Sequence, residues 1–361
     1  MHRCLALALI FLSVSLAVHA QDGPYLFYRA DSVVSLTVRD GALQRVVGNP
    51  GHIRVSFSDH PDWDFDVPLR TALADEPCIW KQPRKMLVLS DIEGEFEAFR
   101  ALLIANKVID RRYRWTFGKG HLVICGDLFD RGKAVAQELW LLYKLEDEAR
   151  AQGGYVHTLL GNHDIMNLNG DLRYVQAFYF DDARVMGLDY KALYRSDTEL
   201  GRWLRTKNLI EKIGDDLCLH GGVSPEVNAL GWSLEDINGR CRPFYDKAAQ
   251  APAGINVFFG RNAPFWYRGY FMDPRASRAL IDSTLTRYGC KRIVVGHTIV
   301  DINVAAYYNG DVLGIDVDEH AGHRAAALYR HKKWYVVDDK GSKTRLIYRA
   351  SNDRIREEQI L

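Results

Sequence analysis

The chain has 361 residues, 47% of them apolar and 26% charged, with 47 basic and 46 acidic side chains for a formal charge of +1. That composition supports a large buried core and excludes a disordered, collagenous or low-complexity protein. No lysine- and arginine-rich stripe runs through it, so no nucleic-acid partner is expected.

The N-terminus reads as a targeting segment. His2 and Arg3 precede the apolar run Leu5 to Leu12, and the stretch closes on Val18-His19-Ala20. A basic start, a short apolar middle and a small-x-small ending predict a secretory signal peptide cut near Ala20. The run is short for a bilayer span, so the alternative of an uncut membrane anchor is the weaker one. The mature chain is therefore expected to be periplasmic or otherwise extracytoplasmic, without a membrane span. Loss of Arg3 leaves 46 basic and 46 acidic residues. Five of the six cysteines remain, of which Cys125, Cys218 and Cys290 lie in or beside apolar runs and read as core thiols. Cys78 and Cys241 lie in less regular segments and can pair in an oxidising compartment.

Residues 21–85 form a compositional unit of their own. "YLFYRADSVVSLTV" and "HIRVSFSD" are β-branched and aromatic, with turns at "RDGAL" and "GNPGH", and predict a small β-rich extension. Residues 71–85 read as a linker. From Met86 to about residue 345, short apolar runs alternate with helical stretches. The runs are "MLVL" (86–89), "HLVIC" (121–125), "YVHTLL" (155–160), "DLCLH" (216–220), "RIVVG" (292–296), "DVLGIDV" (311–317), "AAALYR" (325–330) and "WYVVD" (334–338). Residues 95–106 and 134–152 carry apolar side chains at helical spacing. The early alternation predicts βαβ units, and the late crowding of strands predicts a mixed sheet or two packed sheets. Residues 346–361 read as a tail.

Five of these runs break into polar residues in the same way. "LVLSDIEG" ends in Asp91 and Glu93, and "LVICGDLFDRG" in Asp127, Asp130 and Arg131. "HTLLGNHD" ends in Asn162, His163 and Asp164, "LCLHGG" in His220, and "IVVGHT" in His297. In α/β sheets, ligands sit beyond the carboxyl ends of strands. A single such ending would read as a turn. Five together read as one functional rim.

At "GDLFDRG" and "GNHD" the sequence resembles the calcineurin-like metallophosphoesterases, and within them the phosphoprotein phosphatases, over about residues 86–320. "GNHDIMNLNGDLRYV" and "PFWYRGY" resemble the bacterial-type branch called Shewanella-like phosphatases. The resemblance implies a four-layer α/β/β/α sandwich and two divalent metal ions about 3.5–4 Å apart, which acidify a shared water and clamp the phosphoryl oxygens. It makes Asp127 the bridging carboxylate, gives Asp91 and Glu93 to metal one, and gives Asn162, His220 and His297 to metal two. A mixed oxygen and nitrogen set suits manganese, iron or zinc. His163 is then the general acid, oriented by Asp130, with ligation of metal two as its alternative role. Arg131 and Arg268 form the phosphate clamp, and packing of Arg268 on Trp266 or Tyr267 is the alternative. Gly221 and Gly222 are expected to let the chain turn beside His220. Asp171 lies either at the substrate mouth or at a helix cap, and His320 and His323 are taken as loop residues outside the site.

Two departures carry information. "GHTIV" puts Ile299 where many metallophosphoesterases have a second histidine; the phosphoprotein phosphatases also lack it, so the departure favours that branch over the nuclease and phosphodiesterase branches. Glu93 stands where most of the family has histidine, and three carboxylates on metal one favour Mn²⁺, Fe²⁺ or Mg²⁺ over zinc. The alternative leaves Glu93 in solvent. The expected enzyme is a metal-dependent phosphomonoesterase acting on phosphoserine, phosphothreonine or phosphotyrosine in proteins. Hydrolysis of small phosphate esters or dinucleotide polyphosphates is the alternative, and a silent metal- or phosphate-binding protein is the third reading.

Overall fold

The computed structural model describes residues 21–349, so the expected signal peptide and residues 350–361 lie outside the described residues. Two sheets stack at the centre. The first runs Lys343–Arg345, Lys333–Asp338, Ala325–Arg330, Lys85–Leu89, His121–Cys125, Tyr155–Leu159. Its last three strands are parallel, and Ala325–Arg330 pairs antiparallel with Lys85–Leu89. The second runs Ile347–Tyr348, Ala305–Tyr307, Val312–Gly314, Arg292–Val295, Asp216–Leu219, Ile210–Ile213, Ile79–Trp80, and the Asp216, Arg292 and Val312 strands are mutually parallel.

Burial on both faces explains the unbroken apolar runs. Met86, Leu87, Val88 and Leu89 are all buried, because one sheet face meets the other sheet and the opposite face meets helices. Met86, Val88, Val123, Cys125 and Leu159 pack with Cys218, Val294 and Leu313 between the sheets. Outside the first sheet, Leu87, Leu89 and Ile124 share a cluster with Phe99 and Leu139 of the helices Phe96–Ala105 and Val135–Ala151. Outside the second, Leu217, Leu219 and Ile293 share it with Ile237 and Ile281 of Leu234–Cys241 and Arg278–Tyr288. The result is the expected helix, sheet, sheet, helix sandwich.

The N-terminal strands Asp22–Arg29, Ser32–Arg39 and Ala42–Gly48 form an antiparallel meander, followed by the hairpin His52–Val55 and Phe65–Pro68. They lie against the body: the Tyr28 hydroxyl donates to Glu199 at 2.7 Å, and the Trp140 indole donates to the Pro24 carbonyl at 2.9 Å. Residues 71–85 are more than a linker. Ile79–Trp80 extends the second sheet beside Ile210–Ile213, and Glu76 is held by Lys207 at 3.1 Å and Arg150 at 2.9 Å. At the other end, Ile347–Tyr348 pairs with Ala305 and Ala306, which takes part of the expected tail into the sheet. The five described cysteines are free and buried, so Cys78 and Cys241 are not bridged. Among the described residues no helix is long and apolar enough to cross a membrane.

Candidate active site

Six parallel strands, three from each sheet, end at one rim. Asp91 follows Lys85–Leu89, Asp127 follows His121–Cys125, and Asn162 opens the helix Asn162–Asn169 after Tyr155–Leu159. His220 follows Asp216–Leu219, His297 follows Arg292–Val295, and Asp316 follows Val312–Gly314. The backbone there is strained: Asp91, Glu93, Asp127, Asp130, Arg131 and His297 all have positive φ, between 47° and 80°. Non-glycine residues adopt this region at a cost, and functional sites are where such strain concentrates. Close approach explains two glycines. A Cβ on Gly161 would land on Asp127 Oδ1, and one on Gly296 would land on Ser90 Oγ and Asp91 Oδ2.

The predicted ligands converge in part: Asp91 belongs to neither of two tight groups, and His163, the expected proton donor, belongs to one. Ligand atoms of Asp127, His220 and His297 lie within 4.8 Å of one another, and so do those of Glu93, Asp127 and His163. Asp127 belongs to both groups. His220 Nδ1 meets the Cys125 carbonyl at 2.7 Å, leaving Nε2 3.0 Å from both Asp127 Oδ2 and Asn162 Oδ1. Asp91 turns Oδ1 towards His220 Nε2 at 3.9 Å, while Oδ2 accepts from Ser90 Oγ and, at 3.0 Å, from the His297 backbone N–H. Asp164 fastens the loops, accepting from the backbone of Leu128 at 2.8 Å, Asp127 at 3.1 Å and Gly161 at 2.6 Å.

His163 donates through Nδ1 to Asp130 Oδ2 at 2.6 Å, the expected pairing, and Asp130 Oδ1 accepts from Asn167 at 2.9 Å. Its Nε2 faces inward, 3.6 Å from Glu93 Oε1 and 3.9 Å from Asp127 Oδ2. Burial opposes its charge, but Asp127, the Asp130 hydrogen bond and Glu93 outweigh burial and hold the ring up at about 9. Glu93 is buried, so the solvent-facing alternative fails. Its Oε2 accepts from Arg131 Nη1 at 2.6 Å.

The electrostatics fit a cationic guest. Burial pushes Asp91 up to about 6, with the neighbouring Asp127 and Glu93 charges adding to the effect against the pull of His220. Burial also pushes His297 well below the usual imidazole range, helped by His220 and Arg268. Buried oxygen and nitrogen donors converging on one carboxylate are the donor set a divalent ion uses. Asp91, Glu93, Asp127, Asn162, His220 and His297 are the residues that would hold such ions.

A cleft of about 650 Å³ opens over the rim, lined by Arg131, His163, Tyr174, Arg268, His297 and Asp316 among others. Arg268 Nη1 donates to the His297 carbonyl and, at 3.2 Å, to Thr298 Oγ1. Among the described residues it lies over no aromatic ring, so the packing alternative does not hold. Gly221 and Gly222 keep ordinary φ. They matter because the Pro264 carbonyl accepts both N–H groups at 2.7 and 2.9 Å, and because Tyr267 and Tyr270 leave no room for a Cβ at Gly222. Asp171 pairs with Arg173 at 2.5 Å and caps no helix, since the next one starts after Gln176. Tyr174, three residues on, reaches the cleft instead.

Asp316 and His320 of the cleft, like Tyr174, are not among the site residues expected from the sequence. Asp316 ends the strand Val312–Gly314 with the grammar of the other five endings, and that was the available signal. Burial, with Asp91 and Glu93 nearby, holds its carboxyl well above the usual range. His320, taken as a plain loop residue, lines the cleft and meets Glu93 Oε2 at 2.7 Å. The hydrogen bonds to Glu93 and Glu95 raise it to about 9. His323 is absent from the cleft lining.

Residues 84–301 match the family described as calcineurin-like phosphoesterase. The chain belongs to that family. It is a metallophosphoesterase, and divalent metals are part of the family's chemistry. The phosphoesterase is 28% identical to the Shewanella-like protein phosphatase 2 of Arabidopsis thaliana over 291 residues, 67% of this chain and 73% of the relative. It is also 28% identical to the Shewanella-like protein phosphatase 1 of Plasmodium berghei, over 59% of this chain and 61% of that one. The solved cold-active protein-tyrosine phosphatase of a psychrophilic Shewanella superposes with a TM-score of 0.83 at 33% identity, covering 90% of this phosphoesterase and 99% of that chain.

Proposed function

We propose that the protein is an extracytoplasmic phosphoprotein phosphatase that uses two divalent ions, with Mn²⁺ favoured, to hydrolyse phosphomonoesters. One observation carries the reading. His163, backed by Asp130 at 2.6 Å, points Nε2 at the Asp127 shared by both ligand groups, and Arg131 and Arg268 line the same cleft. When bound, the two ions supply an acidified water and offset the phosphoryl charge. The chain's own groups do the rest. Arg131 and Arg268 hold the phosphoryl oxygens through planar guanidinium forks. His163 gives a proton from Nε2 to the departing ester oxygen, and Asp130 keeps the ring in place and charged before transfer. The products are inorganic phosphate and the free alcohol or phenol.

Phosphotyrosine is favoured over phosphoserine because Tyr174 is 44% exposed in the cleft and its ring centre lies 5.0 Å from that of His163. That position offers an aromatic leaving group a ring to pack on beside the proton donor. The relation to a Shewanella protein-tyrosine phosphatase supports the same substrate. The carboxylates of Asp91, Glu93 and Asp127 support Mn²⁺ over zinc. The pattern of residues 1–20 supports export.

The test is metal analysis with a panel of phosphotyrosine and phosphoserine peptides, p-nitrophenyl phosphate and diadenosine tetraphosphate, assayed with added Mn²⁺. The expected result is bound metal and fastest turnover of phosphotyrosine. Fastest turnover of the dinucleotide would replace the protein substrate. Bound metal without turnover of any substrate would make the protein a silent binder.

A further inference from the structure

Glu93 is held by two side chains through one oxygen. Arg131 Nη1 lies 2.6 Å from Glu93 Oε2, and His320 Nε2 lies 2.7 Å from the same atom. The other nitrogen of His320 meets Glu95 Oε1 at 3.2 Å. The Glu93 side chain is 2% exposed, against 39% for Arg131 and 29% for His320, so the carboxylate lies beneath both side chains. The loop that carries His320 is itself fixed. Asp318 accepts from the backbone of Ala321 at 3.0 Å through Oδ1 and from that of His323 at 3.0 Å through its carbonyl, and Gly322 N–H reaches the Glu319 carbonyl at 2.9 Å.

The arrangement answers a difficulty that Glu93 creates. A glutamate side chain is long, and an arginine that is 39% exposed can swing. With Oε2 held twice, the carboxylate has a set plane, so Oε1 points towards His163 and Asp127 while Arg131 keeps its remaining N–H groups for the cleft. Both ring nitrogens of His320 face carboxylate oxygens, so the imidazole bridges Glu93 and Glu95. Neither group of clustered ligand atoms includes His320.

We propose that His320 is a positioning residue for phosphate: it holds Glu93, and through Glu93 the guanidinium of Arg131. The inference rests on the phosphatase reading of the cleft, but it is measured separately from turnover. The protein of residues 21–361, loaded with metal, is compared with His320→Gln, His320→Lys, Glu93→Gln and the Glu93→Gln/His320→Gln pair. The readouts are the Kd of inorganic phosphate by calorimetry, KM and kcat on p-nitrophenyl phosphate, metal content and Tm. His320→Gln should weaken phosphate binding and raise KM by about 10-fold, the low end for a hydrogen bond to a charged group. Metal content should stay constant and kcat should change by less than about 3-fold, because a ground-state binding loss falls on KM. His320→Lys should recover most of the binding, and in the Glu93→Gln background His320→Gln should add little. Unchanged phosphate affinity in His320→Gln would overturn the proposal. So would lost metal, or a His320→Lys variant as weak as His320→Gln. A chain that binds phosphate in this His320-dependent way but turns over no ester would refute the phosphatase reading and leave the role of His320 standing.

Discussion

Asp130→Asn tests the proton-donor assignment most sharply, because it removes a charge without changing the side chain's shape. Asp130 is 1% exposed, with Oδ2 on His163 Nδ1 at 2.6 Å and Oδ1 on Asn167 Nδ2 at 2.9 Å. Asparagine keeps the volume but has one acceptor oxygen for two, so with that oxygen on His163 the charge-assisted bond becomes a neutral one and the Asn167 bond is given up. Bonds to charged groups contribute about 1.5–3 kcal/mol. At about 1.36 kcal/mol per decade, turnover should fall roughly 10- to 150-fold where the leaving group needs a proton. Phosphoserine peptide and p-nitrophenyl phosphate should therefore be assayed side by side. The p-nitrophenolate ion leaves unprotonated, so its loss should stay under about 3-fold. His163→Ala should show the same divergence at about 10²–10⁴-fold on the peptide. Asp130 lies outside both ligand groups, so the metal content of Asp130→Asn should match the wild type. Equal losses on both substrates would refute the general-acid role. Metal loss in His163→Ala would make His163 a ligand, since its Nε2 lies only 3.9 Å from Asp127 Oδ2.

Three further outcomes are expected. Arg268→Ala should raise KM about 10-fold or more with Tm little changed, and steady-state kinetics with a melting scan would detect the reverse pattern of a purely structural residue. Gly161→Ala should deplete bound metal, measured by elemental analysis, because its Cβ would displace Asp127 Oδ1. His121 is held down to about 3 by burial and by His157, far below its unfolded value of about 6.5. The unfolded chain then binds the extra proton, so stability is intact above pH ~6.5 and is lost as pH falls from there towards 3. His121→Gln should flatten that slope in denaturant melts taken across the range, and an unchanged slope would remove His121 as its source.

The parts of the site that were legible in the sequence are those written in strand periodicity and residue chemistry. A run such as Met86 to Leu89, buried on both faces, ends on a buried carboxylate, Asp91, where a charge needs a partner that an apolar strand does not supply. The same logic located Asp127, Asn162, His220 and His297, and it would have located Asp316 had the run 311–317 been cut at its strand end. Backbone strain was not legible. Nothing in the letters says that Asp91, Glu93 and Asp127 share positive φ, because that geometry comes from loops bonded to one another, such as Asp91 N–H to the Gly126 carbonyl and Glu93 N–H to the Asp127 carbonyl. Nor was the function of the glycines legible in detail, since Gly161 is small for Asp127 and Gly222 for Tyr270, partners 34 and 48 residues away by position. His320 is the extreme case, 227 residues from Glu93 in sequence and 2.7 Å away in space. An unusual residue in a motif, here glutamate where histidine is common, has to be answered by another side chain, because a buried carboxylate without a partner is costly. The answer need not lie in the motif. In a sandwich whose strands all end at one rim, any loop on that rim can supply it, and the loop between Val312–Gly314 and Ala325–Arg330 does.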